Sequence, residues 1–387
     1  MSKPLGIAVV GLGLAGSVMT EAIKRHPGVR LAAGVEPYEP VRERFRTSEG
    51  LPAYGCLDEA LADPHVDVAY LATPPTLHRD QALAALARGR HVLVEKPMAP
   101  TAAACDEMVS AAASAGRALV VGHTHGFDPG VALIAELVRS GRYGAPGLLA
   151  LRDYTNFLYR PRSPEEFDAS AGGGVVFNQV AHQVEMARTI LDRPVRAVRA
   201  FTTRLDPTRP GDGSCTALLD FGDGVAANLL YAGYDHFDSD ELHGWVTESG
   251  HAGQPRHGSA RSALRQLDDA EHATQRRRSL SYGARALAEP THQPHFGELV
   301  LTCAGADLRL GIDAVVAYTD SGPVQHPLPT GGGWSGHAAV LDELLAAVAG
   351  NEVRHDGVFG AATVRVCEAI VESAAVGAEV LVRTAGQ

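Results

Sequence analysis

The chain is poor in cysteine and has no long apolar run. Five cysteines occur among 387 residues, and they lie far apart, without the short spacings that are typical of zinc sites. We predict buried thiols and no metal centre. No stretch is apolar over the length that a membrane span requires, and the N-terminus leads almost at once into a strand, without a secretory signal pattern. We therefore expect a cytoplasmic protein that does not engage a membrane.

Positive charge is also scarce. The sequence has 34 Lys and Arg against 45 Asp and Glu, a formal net charge of -11. Binding to nucleic acid requires a concentrated basic surface, so this balance excludes a nucleic-acid partner and leaves a small molecule as the expected one. With 45% hydrophobic residues, a chain of this length can bury a large core and should form two domains.

A strand, a glycine-rich turn and a helix open the sequence. The apolar run Gly6 to Val10 predicts a strand, and Gly11-Leu12-Gly13-Leu14-Ala15-Gly16 then begins a helix. Gly11 permits the tight turn, Gly13 lets the backbone approach a pyrophosphate, and Gly16 allows the helix to pack closely on the strand. The pattern predicts a dinucleotide site, with an ordinary glycine turn of an α/β protein as the alternative.

An acidic residue after the second strand supports the dinucleotide interpretation. The strand Val29 to Val35 ends in Glu36, at roughly the 20-residue spacing expected of a carboxylate that binds the ribose 2′-hydroxyl. A 2′-phosphate would be repelled there, so we predict NAD rather than NADP. Arg42 and Arg44 keep NADP open as the alternative.

The first part of the chain continues as alternating strands and helices. Strands are predicted over Val66 to Ala72, His91 to Val94 and Ala118 to Val121. Such alternation predicts a Rossmann domain over residues 1–122, with a doubly wound parallel sheet that binds ligands beyond the carboxyl ends of its strands. The residues at these ends are Thr73, Pro74, Lys96, Pro97 and His123.

Beyond Gly122, strands follow strands. For residues 123–387 we predict an α+β domain with a large open, mostly antiparallel sheet. A sheet with one bare face needs a partner, so we expect a homodimer or homotetramer. Residues 249–295 are rich in Arg, His, Gln, Ser and Gly, which predicts an excursion from the sheet and a candidate lid. Its Arg276-Arg277-Arg278 run is interpreted as a solvated helix face.

A triple glycine precedes a candidate catalytic histidine. Gly172-Gly173-Gly174 would let the chain pass close to a ligand. The helix after it is expected to place Asn178 and His182 on one face, because residues four apart are neighbours there. A helical histidine is often a structural residue, so the position alone does not establish catalysis.

Together these motifs resemble the Gfo/Idh/MocA oxidoreductase family, named for glucose-fructose oxidoreductase and inositol dehydrogenase. The motifs are the glycine turn, Glu36, Ala72-Thr73-Pro74, Glu95-Lys96-Pro97 and the segment from the triple glycine to His182. The resemblance spans nearly the whole chain. It implies an N-terminal Rossmann domain, a C-terminal domain with a large open sheet, a nicotinamide cofactor, and a catalytic set that contains Lys96 and His182. A surface lysine after a strand is the alternative for Lys96.

The sequence departs from the family pattern at two positions. Asn178 stands where the family commonly has Asp, and Val180 stands where a glycine is usual. A carboxylate beside Lys96 and His182 would favour their protonated forms, whereas a neutral amide cannot, so both should release protons more readily than in a typical member. Our hypothesis is that Lys96 takes the proton of the substrate hydroxyl and that His182 orients this hydroxyl or relays the proton.

A narrower resemblance is to the branch that contains phthalate cis-dihydrodiol dehydrogenases, which oxidise an aromatic dihydrodiol to a catechol. The similar segments are Gly122 to Pro129, Leu158 to Arg162, Val176 to Gln183 and His236 to Glu241. Arg160 and Arg162 precede the glycine run and could hold a substrate carboxylate in a planar fork. Surface salt bridges are the alternative role for both arginines.

The motifs and the resemblance assign three groups of residues. The catalytic group is Lys96, His182 and Asn178. The cofactor-binding group is Gly11, Gly13, Leu14, Ala15, Gly16, Glu36, Thr73, Pro74, His78, Glu95 and Lys96. The substrate-binding group is His123, His125, Tyr154, Asn156, Tyr159, Arg160 and Arg162. For His123 and His125 we expect hydrogen bonds to substrate hydroxyls rather than a metal, because no Asp or Glu at close spacing completes a ligand set.

The expected function is therefore an NAD-dependent dehydrogenase that acts on a secondary alcohol carbon of a cyclic substrate, such as a phthalate dihydrodiol. One alternative is a sugar or inositol dehydrogenase of the same family. Another is a lyase or hydrolase that uses bound NAD transiently, and a third is a catalytically idle ligand sensor, which the presence of Lys96 and His182 disfavours.

Overall fold

The computed structural model describes residues 3–160, 162, 164–265, 282, 290–329 and 336–383. The described residues fall into two compact units. The first draws on Met1–Thr124, Ala270–Ala288 and Ser335–Val364, and the second on His125–Asp269, Glu289–Trp334 and Arg365–Gln387. The Arg276-Arg277-Arg278 run and about half of the predicted excursion, residues 266–281 and 283–289, lie outside the described residues. The assignment of 1–122 and 123–387 to separately folding domains stays a prediction.

The first unit is built on a six-stranded parallel sheet with the order β3-β2-β1-β4-β5-β6. Its strands are nearly continuous apolar runs because helices cover both faces of the sheet. The strands are β1 (Leu5–Val10), β2 (Val29–Val35), β3 (Ala53–Tyr54), β4 (Val68–Leu71), β5 (His91–Val94) and β6 (Leu119–Val121). The helices between them are α1 (Leu14–Arg25), α2 (Glu39–Glu49), α3 (Leu57–Ala62), α4 (Pro75–Ala87) and α5 (Ala102–Ala115). The predicted doubly wound parallel sheet is confirmed.

A later segment of the chain completes the first unit. The backbone N–H of Val121 donates to the carbonyl oxygen of His355 over 2.8 Å, and Val120 forms an antiparallel bridge with Asp356. His26, just after α1, contacts the Asp342 carboxylate at 3.0 Å. Asp342 belongs to a late helix, α9 (Gly336–Val348), and α10 (Gly357–Val376) comes after it. The late segment therefore covers the free edge of β6 and lies against the end of α1.

The second unit is built on a nine-stranded sheet with the order β14-β13-β12-β11-β7-β10-β9-β8-β15. Every pairing is antiparallel except that of β7 with β10, so the predicted large, mostly antiparallel sheet is confirmed. The strands are β7 (Pro146–Tyr154), β8 (Ala197–Thr203), β9 (Ser214–Gly222), β10 (Val225–Ala232), β11 (Glu298–Cys303), β12 (Ala306–Leu310), β13 (Ala314–Thr319), β14 (Gly322–Pro327) and β15 (Val380–Leu381). The helices are α6 (Pro129–Arg139), α7 (Ala181–Leu191) and α8 (Ser259–Leu264).

The two faces of this sheet differ. Side chains alternate between buried and less buried positions along β7, β9 and β10, as expected where one face packs on a core. On the other face Leu148, Phe201 and Leu218 are each about half exposed, at 49%, 55% and 48%. An apolar, uncovered face of this kind is typical of a surface that meets another protein.

The sequence analysis missed four strands and an irregular helical turn. β3, β13, β14 and β15 were not predicted. β3 has only two residues, and β14 is an exposed strand with a proline near each end, a composition that weakens any strand pattern. The segment Val176–Val180 forms a π-helical turn before α7 begins at Ala181. The expectation of one regular α-helix through Asn178 and His182 is therefore wrong: Asn178 lies in the wider turn and His182 in the α-helix. No described helix is long and apolar enough to cross a membrane.

Candidate functional site

The three glycines of the glycine turn in the first unit differ in the space available for a side chain. Gly11 has a φ of +93°, and a Cβ on Gly16 would stand 2.0 Å from the Gly11 carbonyl oxygen, so both positions exclude a side chain. A Cβ on Gly13 would meet nothing within 4 Å. The backbone at Gly13 is thus open, beside the N-terminus of α1 where Leu14 and Ala15 present amide groups without intrahelical acceptors. This open cradle fits a pyrophosphate.

Glu36 closes one side of the glycine turn. Its carboxylate accepts the backbone N–H of Leu12 at 3.2 Å and that of Tyr38 at 3.1 Å, one on each oxygen. A carboxylate has about four acceptor positions, so the ribose hydroxyls of a dinucleotide can still bind there. Arg42, the residue that kept NADP open, donates to the Glu36 carbonyl oxygen at 2.6 Å and pairs with Glu39.

His78 ties together two turns at the carboxyl ends of the strands. Its Nε2 lies 2.8 Å from the Thr73 carbonyl oxygen and its Nδ1 lies 3.1 Å from that of Pro97. The ring is fully buried, and burial lowers the pKa of His78. Both ring nitrogens face backbone carbonyls, so His78 holds the Thr73-Pro74 turn against the Glu95-Lys96-Pro97 turn.

The Glu95-Lys96-Pro97 turn is fixed by its own carboxylate. Glu95 Oε1 accepts the hydroxyl of buried Tyr70 at 2.5 Å, and Oε2 accepts the Lys96 backbone N–H at 3.2 Å. Burial, with the Glu95 charge, raises the pKa of Tyr70 well above its usual value. The Lys96–Pro97 peptide bond is cis. Lys96 is half-buried at the end of β5, in the same unit as the glycine turn.

Tyr282 is a residue at the glycine turn that the sequence analysis missed. Its backbone N–H donates to the Leu12 carbonyl oxygen at 3.1 Å, and its ring lies 5.2 Å from that of Phe45. The hydroxyl group donates to Glu49. No sequence signal links Tyr282 to the fingerprint, because it lies in the compositionally biased stretch far along the chain.

The second unit brings two candidate histidines together. The rings of His125 and His182 meet edge to face with centroids 4.6 Å apart. Phe296 contacts both, at 4.7 Å from His125 and 5.0 Å from His182. His182 lies at the start of α7, and His125 lies in a short 3-10 turn before α6. The structure thus brings the buried rings of His125 and His182 together as an imidazole pair that packs against the Phe296 ring.

Asp128 is the buried partner of His125. Its carboxylate contacts His125 Nδ1 at 2.8 Å. The sequence analysis considered acidic residues near this histidine only as metal ligands and assigned Asp128 no role. Burial by itself would lower the pKa of His125, but the Asp128 carboxylate and, from the other side, Glu248 outweigh it and raise the pKa to about 10. The spacing His125-x-x-Asp128 was the sequence signal that could have indicated this pair.

Among the described residues no group of three or more His, Cys, Asp or Glu is arranged to hold a metal ion.

Asn178 is held by the backbone. Its Nδ2 donates to the carbonyl oxygen of Glu166 at 2.8 Å, and its side chain is half-buried. A carboxylate could not donate to this carbonyl, so the amide suits the position.

Arg160 and Arg162 have different surroundings. Arg160 Nε donates to Asn156 Oδ1 at 2.6 Å, while its Nη2 lies 3.9 Å from the Glu248 carboxylate. Arg162 lies over the ring of Phe157 at 4.4 Å and 3.6 Å from the Glu166 carboxylate. Of these two arginines, Arg160 is therefore the one that lies near Glu248, the second acidic neighbour of His125.

The remaining candidate substrate residues are dispersed. Tyr159 donates its hydroxyl to Asp206 at 2.7 Å and accepts from Arg261 at 2.5 Å. Burial, with the Asp206 hydrogen bond, raises the pKa of Tyr159 to about 12. Tyr154 packs on Phe237.

His123 belongs to the first unit, where its ring lies 6.1 Å from that of His355 and 6.2 Å from that of Phe359. It is not part of the imidazole pair. The convergence of Lys96 with His182 stays a prediction.

The fold and these residues define the class: an oxidoreductase with a nucleotide-binding Rossmann domain. Residues 5–123 match the model of the oxidoreductase family with an NAD-binding Rossmann fold, and residues 131–243 match the GFO/IDH/MocA C-terminal domain. The chain is 36% identical over 382 residues to a 1-carboxy-3-chloro-3,4-dihydroxycyclohexa-1,5-diene dehydrogenase of Comamonas testosteroni, covering 95% of this chain and 94% of that protein. The chain belongs to the Gfo/Idh/MocA oxidoreductase family.

The chain is also similar to a second enzyme over part of its length and to two solved structures. An inositol 2-dehydrogenase of Rhodococcus jostii is 30% identical over 213 residues, 54% of this chain and 56% of that protein. The crystal structure of a Bordetella bronchiseptica protein matches with a TM-score of 0.91 at 40% identity, over 98% of this chain and 100% of that chain. An aldose-aldose oxidoreductase of Caulobacter crescentus matches with a TM-score of 0.74 at 22% identity, over 98% and 100% of the two chains, which shows a shared fold alone.

Proposed function

We propose that the protein is an NAD-dependent dehydrogenase that oxidises a secondary alcohol carbon of a cyclic cis-dihydrodiol bearing a ring carboxylate. The observation that carries the proposal is the similarity, over nearly the whole of both chains, to an enzyme whose name specifies a carboxylated dihydroxycyclohexadiene. A phthalate dihydrodiol has the same chemical elements, namely a partly reduced ring, vicinal hydroxyls and carboxylates.

The second unit supports this substrate class. His125, protonated at neutral pH because of Asp128, lies against His182, and Arg160 supplies a second positive group 3.9 Å from the Glu248 carboxylate. A carboxylate is the substrate group that such a pair recognises, and a guanidinium binds it best through two parallel hydrogen bonds.

Lys96 and His182 each receive one role in this reaction. A bound dinucleotide would supply the hydride acceptor, held by the open backbone at Gly13 and by Glu36. Lys96 would remove the proton of the reacting hydroxyl, and His182 would orient that hydroxyl. Loss of a hydride from carbon and a proton from oxygen leaves a ketone, which tautomerises to the aromatic catechol and so favours the forward direction.

Purified protein tests the proposal against a panel of substrates. The panel contains a carboxylated cis-dihydrodiol, an uncarboxylated cis-dihydrodiol, myo-inositol and glucose, each assayed with NAD and with NADP by the absorbance of the reduced cofactor. We expect the carboxylated dihydrodiol with NAD to give the highest kcat/KM. Product formation without net reduced cofactor would instead indicate a lyase or hydrolase, and no turnover on any substrate would indicate a sensor.

An inositol dehydrogenase is the second candidate. It is supported by the identity to inositol 2-dehydrogenases, which covers about half of the chain. A higher kcat/KM with myo-inositol than with either dihydrodiol would favour it.

We also propose that the exposed sheet face around Leu148, Phe201 and Leu218 pairs with a second copy of the chain, giving a homodimer or homotetramer. Burying half-exposed apolar side chains on both copies stabilises such an assembly. Light scattering on the purified protein measures the mass, and a monomer at micromolar concentration would contradict this part of the proposal.

A further inference from the structure

The carboxylate of Glu248 stands between the two cations that would recognise an anionic substrate. Glu248 Oε1 lies 3.7 Å from His125 Nε2, and Oε2 lies 3.9 Å from Arg160 Nη2. Each oxygen therefore faces one positive group. A planar carboxylate with one oxygen on each of two donors is the arrangement expected of a bound substrate carboxylate.

The contacts of Glu248 are weaker than the other contacts of the same cations. His125 contacts Asp128 at 2.8 Å and Arg160 donates to Asn156 at 2.6 Å, both within hydrogen-bond distance. The two distances to Glu248 exceed the usual range for a charge-assisted hydrogen bond. Asp128 and Asn156 thus hold the cations in place, while Glu248 is the exchangeable member of the cluster.

Glu248 can be reached from solvent, unlike Asp128. The Glu248 side chain is 38% exposed and that of Arg160 34%, against 3% for Asp128. The backbone around Glu248 is fixed separately, because Gly250 N–H donates to the Thr247 carbonyl oxygen at 2.7 Å and His295 N–H donates to the Glu248 carbonyl oxygen at 3.2 Å. The side chain can therefore swing away while its backbone remains in place.

The charges of the cluster determine how a further anion can bind. The positive groups His125 and Arg160 already lie among several carboxylates, since Asp128 and Glu248 act on His125 and Glu248, Asp153 and Asp238 act on Arg160. A second carboxylate added beside Glu248 would therefore increase the excess of negative charge in a partly desolvated site. Like charges held close in such surroundings are strongly unfavourable. An incoming carboxylate must therefore take the place of the Glu248 carboxylate.

We infer that Glu248 is a specificity-determining residue that covers the His125–Arg160 carboxylate subsite and has to be displaced by the ring carboxylate of the substrate. The inference rests on the proposed function and deepens it. Glu248 lowers the affinity for a carboxylate and so rejects weakly bound anions, while a neutral ring does not compete for the cations.

Binding of benzoate tests the inference without turnover. Benzoate carries the ring carboxylate but no oxidisable diol, and benzyl alcohol is its uncharged counterpart. Calorimetric titration of Glu248→Gln should show a Kd for benzoate about tenfold lower than for the unsubstituted protein, since the competing ion pair is gone. The Kd for benzyl alcohol should stay the same. Glu241→Gln is the matched control, because Glu241 pairs with His257 on the exposed surface and should leave both values unchanged.

A second variant keeps the test independent of folding effects. In Arg160→Gln combined with Glu248→Gln, the gain in benzoate affinity should vanish, because one of the two cations is missing. Unchanged benzoate affinity in Glu248→Gln, or an equal gain for benzyl alcohol, would overturn the inference even if dihydrodiols are oxidised. Tighter benzoate binding in a protein that oxidises no dihydrodiol would support the subsite and reject the proposed function.

Discussion

The Nδ1 atom of His125 lies 2.8 Å from the Oδ2 atom of buried Asp128. Burial opposes the charge on the imidazole, but Asp128 and Glu248 outweigh it and raise the pKa of His125 to about 10. Because this pKa is raised above its unfolded value, the stabilising effect of the pair is complete below about pH 6.5 and is lost as the pH rises through 10. His125 is thus an imidazolium under physiological conditions.

The charge on His125 predicts how benzoate binding varies with pH. The affinity should stay constant from neutral pH to about 9 and fall several-fold above pH 10 as the imidazolium loses its proton. The groups that contact His125 or act on its charge are Asp128, Glu248, His182 and His295. Burial by itself would raise the pKa of Glu248, but His125 and Arg160 lower it to about 2, so this carboxylate stays ionised over the range. Asp128→Asn should move the midpoint to lower pH. Titration with benzyl alcohol is the control, and a midpoint that Asp128→Asn leaves in place would contradict the assignment.

The glycine turn predicts two alanine variants with opposite phenotypes. Gly16→Ala places a Cβ 2.0 Å from the Gly11 carbonyl oxygen, so it should destabilise the protein by about 3 kcal/mol or more. Gly13→Ala meets no protein atom within 4 Å, so its unfolding temperature should change far less. Its Kd for NAD should nevertheless rise at least tenfold, because the methyl group obstructs the pyrophosphate. Thermal unfolding and fluorescence titration measure the two effects, and unaltered NAD binding in Gly13→Ala would remove the basis for this cofactor site.

Lys96→Met is expected to lower kcat by about 10²- to 10⁴-fold, the usual contribution of a general base. Binding of NAD should be retained, since the Glu95 carboxylate holds this turn through the Lys96 backbone rather than its side chain. Lys24→Met is the matched control, because Lys24 only pairs with Glu21 and Glu49 near the surface. A kcat within a few-fold of the unsubstituted protein would exclude Lys96 as the base.

Asn178→Asp should shift the pH–rate profile to higher pH. A carboxylate there would favour the protonated forms of Lys96 and His182, if these groups converge as predicted. The variant also loses the hydrogen bond to the Glu166 carbonyl, which should cost about 1–3 kcal/mol of unfolding free energy. Asn351→Asp, an exposed position after α9, is the control. Reduced stability without any shift of the profile would assign Asn178 a purely structural role.

Glu36→Gln should weaken the preference for NAD over NADP at least tenfold in kcat/KM. The amide no longer repels a 2′-phosphate, although one of the two backbone N–H groups of Leu12 and Tyr38 loses its acceptor. Glu21→Gln, a partly exposed position on α1, provides the control. An unchanged ratio of kcat/KM with NAD to kcat/KM with NADP would mean that Glu36 stabilises the glycine turn and does not determine the cofactor preference.

The parts of the fold that depend on local sequence were predictable. The strand His91–Val94 has its predicted bounds. Gly11 and Gly13 precede α1 and Gly16 lies in its first turn, as the fingerprint requires. These features were predictable because turn and strand patterns depend on neighbouring residues. The π-helical turn at Asn178 arises from one extra residue in a helix, which leaves no compositional mark. Glu248 and Phe296 reach His125 from far along the chain, so only the folded sheet brings them together.

The hydrogen bond from the Val121 N–H to the His355 carbonyl oxygen has a consequence for protein engineering. A gene cut shortly after codon 124 would encode the glycine turn and all six parallel strands, yet the outermost strand would expose its unpaired amides and tend to aggregate. Transplanting the nucleotide-binding unit into a chimera with a relative therefore requires exchanging three separate stretches of the gene at once.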